Sequence, residues 1–344
     1  MIDLANASLL LVAAVFAVSA LCIGIAGWRL SGVADQLADR TGMGEIVAGA
    51  LFVGAATSLP GAITSVTTAL QDAPGLAVGN ALGGLTAQTA FIAVADLFYR
   101  RANLEHAAAS VTGLAQGVLL VALLSVPLIA SVQPPVTIWG IHPASLLIPV
   151  GYGMGLRLLT RIKEEPMWSA VQTDETREEI SETEDGEDAP SDRSLWLRFF
   201  LYAGVTAAAG YLIGEASIAL VQKTGLSESA VGTVFAAVAN SLPELITAIA
   251  AVRIGAVNLA VGDVIGGNAF EVMFLCVADF AYDGSIYEAM TDGDRTTGLI
   301  AMLMTTVLLL GMLRREKAGI ARIGFESAFV LCLYAVSVGL IFLR

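Results

Sequence analysis

Two short stretches place polar side chains beside a proline inside segments that are otherwise apolar: "TSLP" at 57–60 and "NSLPE" at 240–244. A proline removes one backbone donor and crowds the preceding turn, so we expect the helix to break or kink at both places. In the second stretch Asn240 and Glu244 are four residues apart and share one helix face, with Ser241 beside them. This combination predicts a polar site at the break.

The next apolar segment repeats the same spacing with Gly267, Asn268 and Glu271. The earlier half of the chain adds further oxygen donors on two segments: Thr57, Ser58, Asn80, Thr86 and Gln88. Carboxylate, amide and hydroxyl oxygens, without sulfur or imidazole, suit hard cations such as Ca²⁺, Na⁺ or Mg²⁺. An ionised carboxylate at the centre of a bilayer costs about 2.5–3.5 kcal/mol or more. Glu244 and Glu271 therefore each need a cation or a proton.

The composition is that of a polytopic membrane protein. Of the 344 residues 56% are hydrophobic and 14% charged, well below the charged fraction of about 25% in soluble domains. Apolar blocks of about 20 residues, enough to cross a bilayer, predict an all-α protein with about ten transmembrane helices. The predicted segments are 7–28, 44–70, 75–98, 105–130, 135–160, 195–221, 227–253, 258–281, 296–313 and 324–343.

The distribution of charged residues predicts how the chain is divided and how it is oriented in the membrane. Twelve of the 31 acidic residues lie between positions 164 and 192, which predicts a disordered linker over 163–194. The linker separates a first five-helix repeat, 1–162, from a second, 195–344. Basic residues gather in alternate connections, starting after the first segment, whereas the other connections carry only Lys223 and Arg295. The positive-inside rule then predicts both termini outside and the linker in the cytoplasm, in a prokaryotic-type cell membrane.

The chain contains an internal repeat. Residues 41–97 align without a gap on residues 224–280, a shift of 183 positions, and about 22 of the 57 pairs are identical. The identities include the proline and the aspartate that closes each copy, which similar composition alone does not explain. Five predicted spans separate corresponding positions, so the two copies enter the membrane in opposite directions. Inverted repeats of this kind place the substrate near the midplane, on broken helices where the two halves meet.

These motifs resemble those of the cation/Ca²⁺ exchanger superfamily, which includes sodium/calcium exchangers. The family carries "G-[TS]-S-[LV]-P-E" followed by "G-N-x-x-G-S-N" in each of two inverted repeats. The resemblance implies a ten-helix fold that moves Ca²⁺ against Na⁺ or H⁺, with ligands on the second, third, seventh and eighth helices. Gly61, Gly84 and Gly267 depart from the pattern, because the family has a glutamate at the first position and serines at the other two.

Position by position, the resemblance implies a set of cation ligands. Thr57 and Ser58 match the hydroxyl pair of the first repeat, and Ser241 with Glu244 match the second. Asn240 replaces the usual threonine and still offers an oxygen. The remaining matches are Gln88 at an amide position, Glu271 at an acid or amide position, and Gly54 and Ala237 at positions whose carbonyls bind ions.

The resulting hypothesis is a secondary-active cation antiporter that exchanges Ca²⁺ for Na⁺ or H⁺ by alternating access. Two alternatives stay open: an exchanger of altered selectivity, Na⁺/H⁺ or Mg²⁺, and a non-transporting sensor or regulatory relative that uses the acidic linker. An enzyme is not expected, because no nucleophile–base pair or zinc motif lies at membrane depth. The expected partners are small cations and the lipid bilayer, not nucleic acid. No resident cofactor is expected, and the sequence identifies no protein partner.

Overall fold

The chain folds into α-helices, and the described residues contain no β-strand. The computed structural model describes residues 4–41, 53–99, 102–108, 110–134, 136–138, 140–174, 176, 191–317, 319 and 324–343. In chain order the helices are α1 (Leu9–Thr41), α2 (Ala55–Leu70), α3 (Pro74–Asp96), α4 (Leu104–Ala107), α5 (Val111–Ala130), α6 (Pro143–Glu164), α7 (Asp192–Thr224), α8 (Glu228–Ala230), α9 (Ala237–Asn240), α10 (Leu242–Ile254), α11 (Val257–Ala281), α12 (Asp292–Arg314) and α13 (Phe325–Phe342).

Seven of the described helices are long and apolar enough to cross a membrane, namely α1, α3, α5, α7, α11, α12 and α13. The bent pair Glu228–Asn240 and Leu242–Ile254 makes an eighth if it counts as one span. The predicted segments 44–70 and 135–160 correspond to α2 and α6, whose described residues do not meet that criterion. The all-helical membrane fold is confirmed, and the count of ten spans stays a prediction.

Parts of four predicted features lie outside the described residues. They are residues 44–52 of the second predicted span, residue 109 of the fourth, residues 135 and 139 of the fifth, and residues 175 and 177–190 of the acidic linker. The flanking helices α6 and α7 end and begin at Glu164 and Asp192.

The expected interruption at a proline occurs in the second copy of the repeat only. At Ser241 the backbone (φ −93°, ψ 9°) leaves the helix, and the segments on its two sides meet at 45°. Pro243 follows in the first turn of α10, where a missing N–H is tolerated. Pro60, in contrast, lies inside α2, which continues through it without a break.

A wide π-helical turn precedes each proline. It spans Val231–Ala236 in the second copy, and Val53 and Gly54 have the same conformation in the first. The two turns end one residue apart in the alignment, since Gly54 corresponds to Ala237 and the second turn ends at Ala236. Local π adjustments of this kind help a membrane helix to accommodate a proline, but they do not explain the difference between the copies, because the turn is present in both.

The two halves of the chain make reciprocal contacts through glycine and proline. A Cβ added to Gly27 of α1 would lie 2.4 Å from Cγ of Pro243. A Cβ added to Gly210 of α7 would lie 2.4 Å from the carbonyl oxygen of Pro60. Both the glycines and the prolines are 183 positions apart. Each long helix therefore packs through a glycine on the proline segment of the other half.

The aspartates that close the two copies repeat this reciprocity. Asp96 accepts hydrogen bonds from the backbone N–H of Leu104 (2.8 Å) and of Gly324 (3.2 Å), which lies in the second half. Asp279 accepts from the N–H of Ile286 (3.0 Å) and of His142 (2.9 Å), which lies in the first half. Both carboxylates thus anchor a connection, as expected for an aspartate at a helix end.

Helices α3 and α11 occupy the centre of the bundle. Of the 18 residues in the most apolar stretch of each helix, 94% are buried inside the protein in α3 and 67% in α11, but only 28% in α1 and 28% in α13. Since these two helices carry Gln88 and Glu271, the polar side chains predicted from the repeat lie away from lipid.

Candidate cation site

The centre of the site is a hydrogen-bonded trio that joins both halves of the chain. The Gln88 amide nitrogen donates to Oε1 of Glu271 at 2.7 Å and to the Ser241 hydroxyl oxygen at 3.4 Å. Gln88 and Glu271 are 183 positions apart, so corresponding residues of the two copies meet each other directly. The structure therefore brings three predicted ligands from α3, α11 and the break before α10 to one place.

Glu271 fits there because Gly84 has no side chain. A Cβ at position 84 would lie 2.4 Å from Oε2 and 2.8 Å from Oε1 of Glu271. The carboxylate of the second half thus occupies the space that a side chain of the first half would need. In the sequence Gly84 indicates only the loss of a serine hydroxyl, and no pattern predicts that the Glu271 carboxylate occupies the space beside it.

Glu244 supplies the second carboxylate. Its side chain is 5% exposed, and Oε2 has no hydrogen-bond partner. Glu244 and Glu271 act on each other electrostatically. Glu244 also lies in the first turn of α10, where the helix dipole favours a negative charge. Both acids therefore share one environment.

Asn240 belongs to a neighbouring polar network. Its amide nitrogen donates to Oδ1 of Asn80 at 2.8 Å and to the Thr64 hydroxyl at 3.0 Å. Asn80 in turn donates to the Gly61 carbonyl at 3.0 Å and to the Ser65 hydroxyl at 2.9 Å. The network fixes the Asn240 side chain and leaves its Oδ1 without a partner.

Several buried oxygens in this region have no hydrogen-bond partner. They are Oγ of Ser58, Oε1 of Gln88, Oδ1 of Asn240, Oε2 of Glu244, Oδ1 of Asn268 and Oε2 of Glu271. Most buried polar atoms in proteins are paired, so a group of unpaired oxygens around two carboxylates calls for a donor or a cation. Within the described residues no group of three His, Cys, Asp or Glu side chains could hold a metal, so neutral oxygens must complete any coordination.

Three of the predicted ligands are engaged within their own helices. The Thr57 hydroxyl donates to the carbonyls of Val53 (3.1 Å) and Gly54 (3.3 Å). The Ala237 carbonyl accepts from the N–H of Ser241 at 3.0 Å. Each carbonyl oxygen keeps a second lone pair, but neither backbone position is released by a broken helix here. Thr86 is similar, since its hydroxyl donates to the Gly83 carbonyl at 2.9 Å.

The remaining departures from the family pattern have different surroundings. A Cβ at Gly61, where the family has its first-repeat glutamate, would lie 2.6 Å from Cε2 of Phe274. The Phe274 ring, one turn beyond Glu271, therefore fills the place of the missing carboxylate. At Gly267 a Cβ would meet only Oε1 of Gln88, at 3.5 Å. Phe274 was not among the predicted site residues, because an apolar side chain gives no chemical signal.

Comparisons with known proteins match this architecture. A family model described as sodium/calcium exchanger protein matches residues 11–150 and 193–343. The inner membrane protein YrbG of Escherichia coli strain K12 is 29% identical over 272 residues, which cover 78% of each chain.

Solved structures show the same fold at low sequence identity. The H⁺/Ca²⁺ exchanger CAX superimposes with a TM-score of 0.67 and 14% identity, over 96% of this chain and 84% of that one. The sodium-calcium exchanger NCX_Mj superimposes with a TM-score of 0.64 and 16% identity, over 96% of this chain and 99% of the other. Because the family model matches most of its length, this integral membrane chain belongs to the sodium/calcium exchanger protein family.

Proposed function

We propose that this protein is a secondary-active antiporter that exchanges Ca²⁺ for Na⁺ or H⁺ at the site formed by Glu244, Glu271 and the oxygens around them. One observation carries the proposal: Gln88 joins Glu271 and Ser241 by hydrogen bonds, Glu244 interacts electrostatically with Glu271, and Gln88, Glu244 and Glu271 each keep a buried oxygen that has no hydrogen-bond partner. Carboxylate, amide and hydroxyl oxygens form the donor set that Ca²⁺ prefers. The names of three similar proteins support the same ion: the sodium/calcium exchanger MaX1 of Methanosarcina acetivorans, the sodium-calcium exchanger NCX_Mj and the H⁺/Ca²⁺ exchanger CAX.

Charge explains how such a site would exchange ions. Two carboxylates are neutralised either by one divalent cation or by two monovalent ions or protons, so the two loads compete for one place. An unneutralised pair would leave buried charge uncompensated, which is costly inside a membrane. If only a neutralised site can reorient, release of one ion is tied to binding of the other, which is antiport.

The reciprocal contacts of the two halves support alternating access by inverted repeats. Gly27 with Pro243 and Gly210 with Pro60 are corresponding pairs, as are the two aspartate anchors, and Gln88 meets its own counterpart Glu271. A twofold relation between the halves accounts for all three. Two such halves can expose one central site to either side by rocking against each other.

The test is ⁴⁵Ca²⁺ uptake by proteoliposomes driven by an opposing Na⁺ or H⁺ gradient. Glu244→Gln and Glu271→Gln should each reduce uptake to background, because each removes half of the charge that holds the ion. The matched control is Glu215→Gln on α7, a buried carboxylate whose Oε1 accepts from the Gln71 amide at 2.6 Å, away from the site. Wild-type uptake by either site variant, or equal loss in the control, would refute the assignment.

An exchanger of altered selectivity is the second candidate, because Phe274 fills the place where the family has a carboxylate. Uptake driven by Na⁺, H⁺ or Mg²⁺ gradients, tested one ion at a time, distinguishes it from a Ca²⁺ exchanger. Deletion of residues 166–191 tests the sensor alternative, since a transporter should keep its flux without the linker. We also propose that both termini face outside and the linker faces the cytoplasm, on the distribution of basic residues.

A further inference from the structure

A pair of buried acids joins α4 to the connection between α12 and α13. Glu105 of α4 is 0% exposed, and Glu326, in the first turn of α13, is 3% exposed. A Cβ added to Gly324 would lie 3.2 Å from Oε2 of Glu105 and 3.0 Å from Oε1 of Glu326, so both oxygens lie beside the same glycine. Neither oxygen has a hydrogen-bond partner among the described residues. A buried carboxylate oxygen without a partner calls for a proton or a cation.

The charges around this pair are mostly negative. Asp96, at the end of α3, acts electrostatically on both acids, and Glu316 acts on Glu326. Arg314 provides an opposing positive charge, but its side chain is 70% exposed and pairs with Glu316 at 3.5 Å. An exposed guanidinium is screened by water and does not compensate two buried carboxylates. One proton, in contrast, satisfies both oxygens, because the protonated acid can donate to the other.

The other end of the molecule contains a corresponding junction, built around Asp279. There the Ser145 hydroxyl donates to Asp279 at 2.7 Å and shares a hydrogen bond with the Tyr287 hydroxyl, also at 2.7 Å. At the first junction the Ser327 hydroxyl donates to Oε1 of Glu105 at 2.8 Å. The two serines are 182 positions apart, and so are Glu105 and Tyr287. The same connection is therefore built twice, with different side chains.

The comparison shows that the junction folds without an acid pair. Glu105 corresponds to Tyr287, and by the same shift Glu326 corresponds to Ala144; all four are buried. Neither tyrosine nor alanine changes its charge near neutral pH. One junction is therefore titratable and the other is not, although both hold a connection against the end of a central helix.

Part of the linker is bound to the titratable junction. His106 hydrogen-bonds through Nδ1 to the Arg315 carbonyl (2.7 Å) and through Nε2 to the Thr173 hydroxyl (3.0 Å). The Arg315 guanidinium donates to the Val171 carbonyl and to the Thr176 hydroxyl (2.8 Å). This part of the linker is thus held by one residue of α4 and one of the α12–α13 connection, the two elements that the acid pair joins.

We propose that Glu105 and Glu326 form a regulatory proton site: one shared proton holds the α12–α13 connection, with the linker bound to it, against α4. When the proton leaves, the two carboxylates and Asp96 repel one another, so the connection separates from α4 and releases the linker. The proton is exchanged with the water at this end of the molecule, which the distribution of basic residues places in the cytoplasm. The site is separate from the candidate cation site and does not depend on which ions that site exchanges.

The sign of the effect follows from the form that the closed junction favours. Burial and the nearby charge of Asp96 raise the pKa of Glu105 from 4.5 to about 8. The closed junction binds the proton more tightly than a released, solvated one does, so closure weakens as the pH rises from about 4.5 and levels off above about 8. Within that range the equilibrium for closure should fall by up to about tenfold for each pH unit, the slope of a single proton.

Hydrogen–deuterium exchange of the full chain in lipid nanodiscs, between pH 5 and 9, tests the proposal. Protection is corrected for the intrinsic pH dependence of amide exchange. Protection of the Gly324 amide, which binds the α3 carboxylate, and of the Thr173 amide in the linker should fall together as the pH rises. Protection of the His142 and Ile286 amides, which hold the neutral junction, should not change.

Variants identify the groups that bind the proton. Glu105→Gln and Glu326→Gln each provide an amide that donates to the remaining carboxylate at any pH. Each should therefore keep the Gly324 amide protected up to pH 9. The matched control is Glu316→Gln on the same connection, which removes a nearby charge but neither of the oxygens beside Gly324, and it should keep the wild-type pH dependence.

Several results would overturn the regulatory proton site. One is pH-independent protection of Gly324 and Thr173 in the wild type, a measurement that needs no variant. Another is a pH dependence that both glutamine variants keep. Protection that changes with Ca²⁺ or Mg²⁺ at constant pH, and no longer does so in Glu326→Gln, would show that a metal ion and not a proton joins the acids. Absence of Ca²⁺ flux would overturn the proposed function alone, because these readouts do not use transport.

Discussion

Gly84→Ala changes one methyl group at the centre of the candidate site. The added Cβ would lie 2.4 Å from Oε2, 2.8 Å from Oε1 and 2.9 Å from Cδ of Glu271. Since real Cβ atoms do not approach other atoms so closely, the carboxylate has to move away. It then loses the 2.7 Å hydrogen bond from Gln88. Alanine stabilises a helix by about 0.5–1 kcal/mol relative to glycine, so any loss of function cannot come from weakened helix formation.

The expected loss of Ca²⁺ affinity follows from the hydrogen bond between Gln88 and Glu271 that breaks. A hydrogen bond to a charged group contributes about 1.5–3 kcal/mol, and a loss of about 2 kcal/mol corresponds to a roughly 30-fold weaker apparent affinity for Ca²⁺. Titration of purified protein with ⁴⁵Ca²⁺, or the Ca²⁺ dependence of uptake by proteoliposomes, measures it. The matched control is Gly153→Ala on α6, where a Cβ meets nothing within 4 Å.

A second variant separates steric conflict from other causes. Glu271→Asp shortens the acidic side chain by one methylene, so the double variant Gly84→Ala, Glu271→Asp should bind Ca²⁺ better than the sum of the single losses predicts. Affinity of Gly84→Ala within twofold of the wild type would refute the argument, because Glu271 could then not occupy the space beside Gly84. Strict additivity of the two changes would refute it as well.

Two further predictions concern packing and buried charge. Gly61→Ala should cost about 1–3 kcal/mol of stability by overpacking against Phe274. In a double-mutant cycle measured by thermal melts, Phe274→Leu should cancel part of that cost. Additive losses would show that the Phe274 ring does not fill the space beside Gly61. Glu105 lies in α4, outside the candidate spans, and burial with the nearby charge of Asp96 raises its pKa from 4.5 to about 8. The folded protein therefore holds the Glu105 proton more tightly than the unfolded chain does, so stability should fall as the pH rises from about 4.5 through 8. Glu105→Gln should flatten that part of the curve of Tm against pH. An unchanged curve would contradict the assignment.

Much of the architecture follows from local features of the sequence. Apolar blocks of about 20 residues indicate membrane helices because the thickness of the bilayer sets their length. The register of the repeat, a shift of 183 positions, is enough to pair Gln88 with Glu271, and helical spacing places Asn240 and Glu244 on one face. Gln88 and Glu271 do meet, together with Ser241, and Glu244 interacts electrostatically with Glu271, whereas Asn240 belongs to the neighbouring network beyond the break at Ser241.

Other features depend on contacts between residues that are far apart in the chain, which no local pattern encodes. Gly61 and Gly84 read as lost ligands, but one is covered by the Phe274 ring and the other makes room for the Glu271 carboxylate. Pro60 and Pro243 share a motif, yet only the second copy is interrupted beside its proline.

The sequence by itself determined the membrane class, the repeat and the chemical types of the site, because side-chain polarity and spacing act over a few turns of helix. Only the tertiary structure decided which oxygens remain unpaired and which glycines make room for a neighbour. Those properties depend on how α3 and α11, separated by more than 150 residues, pack against each other.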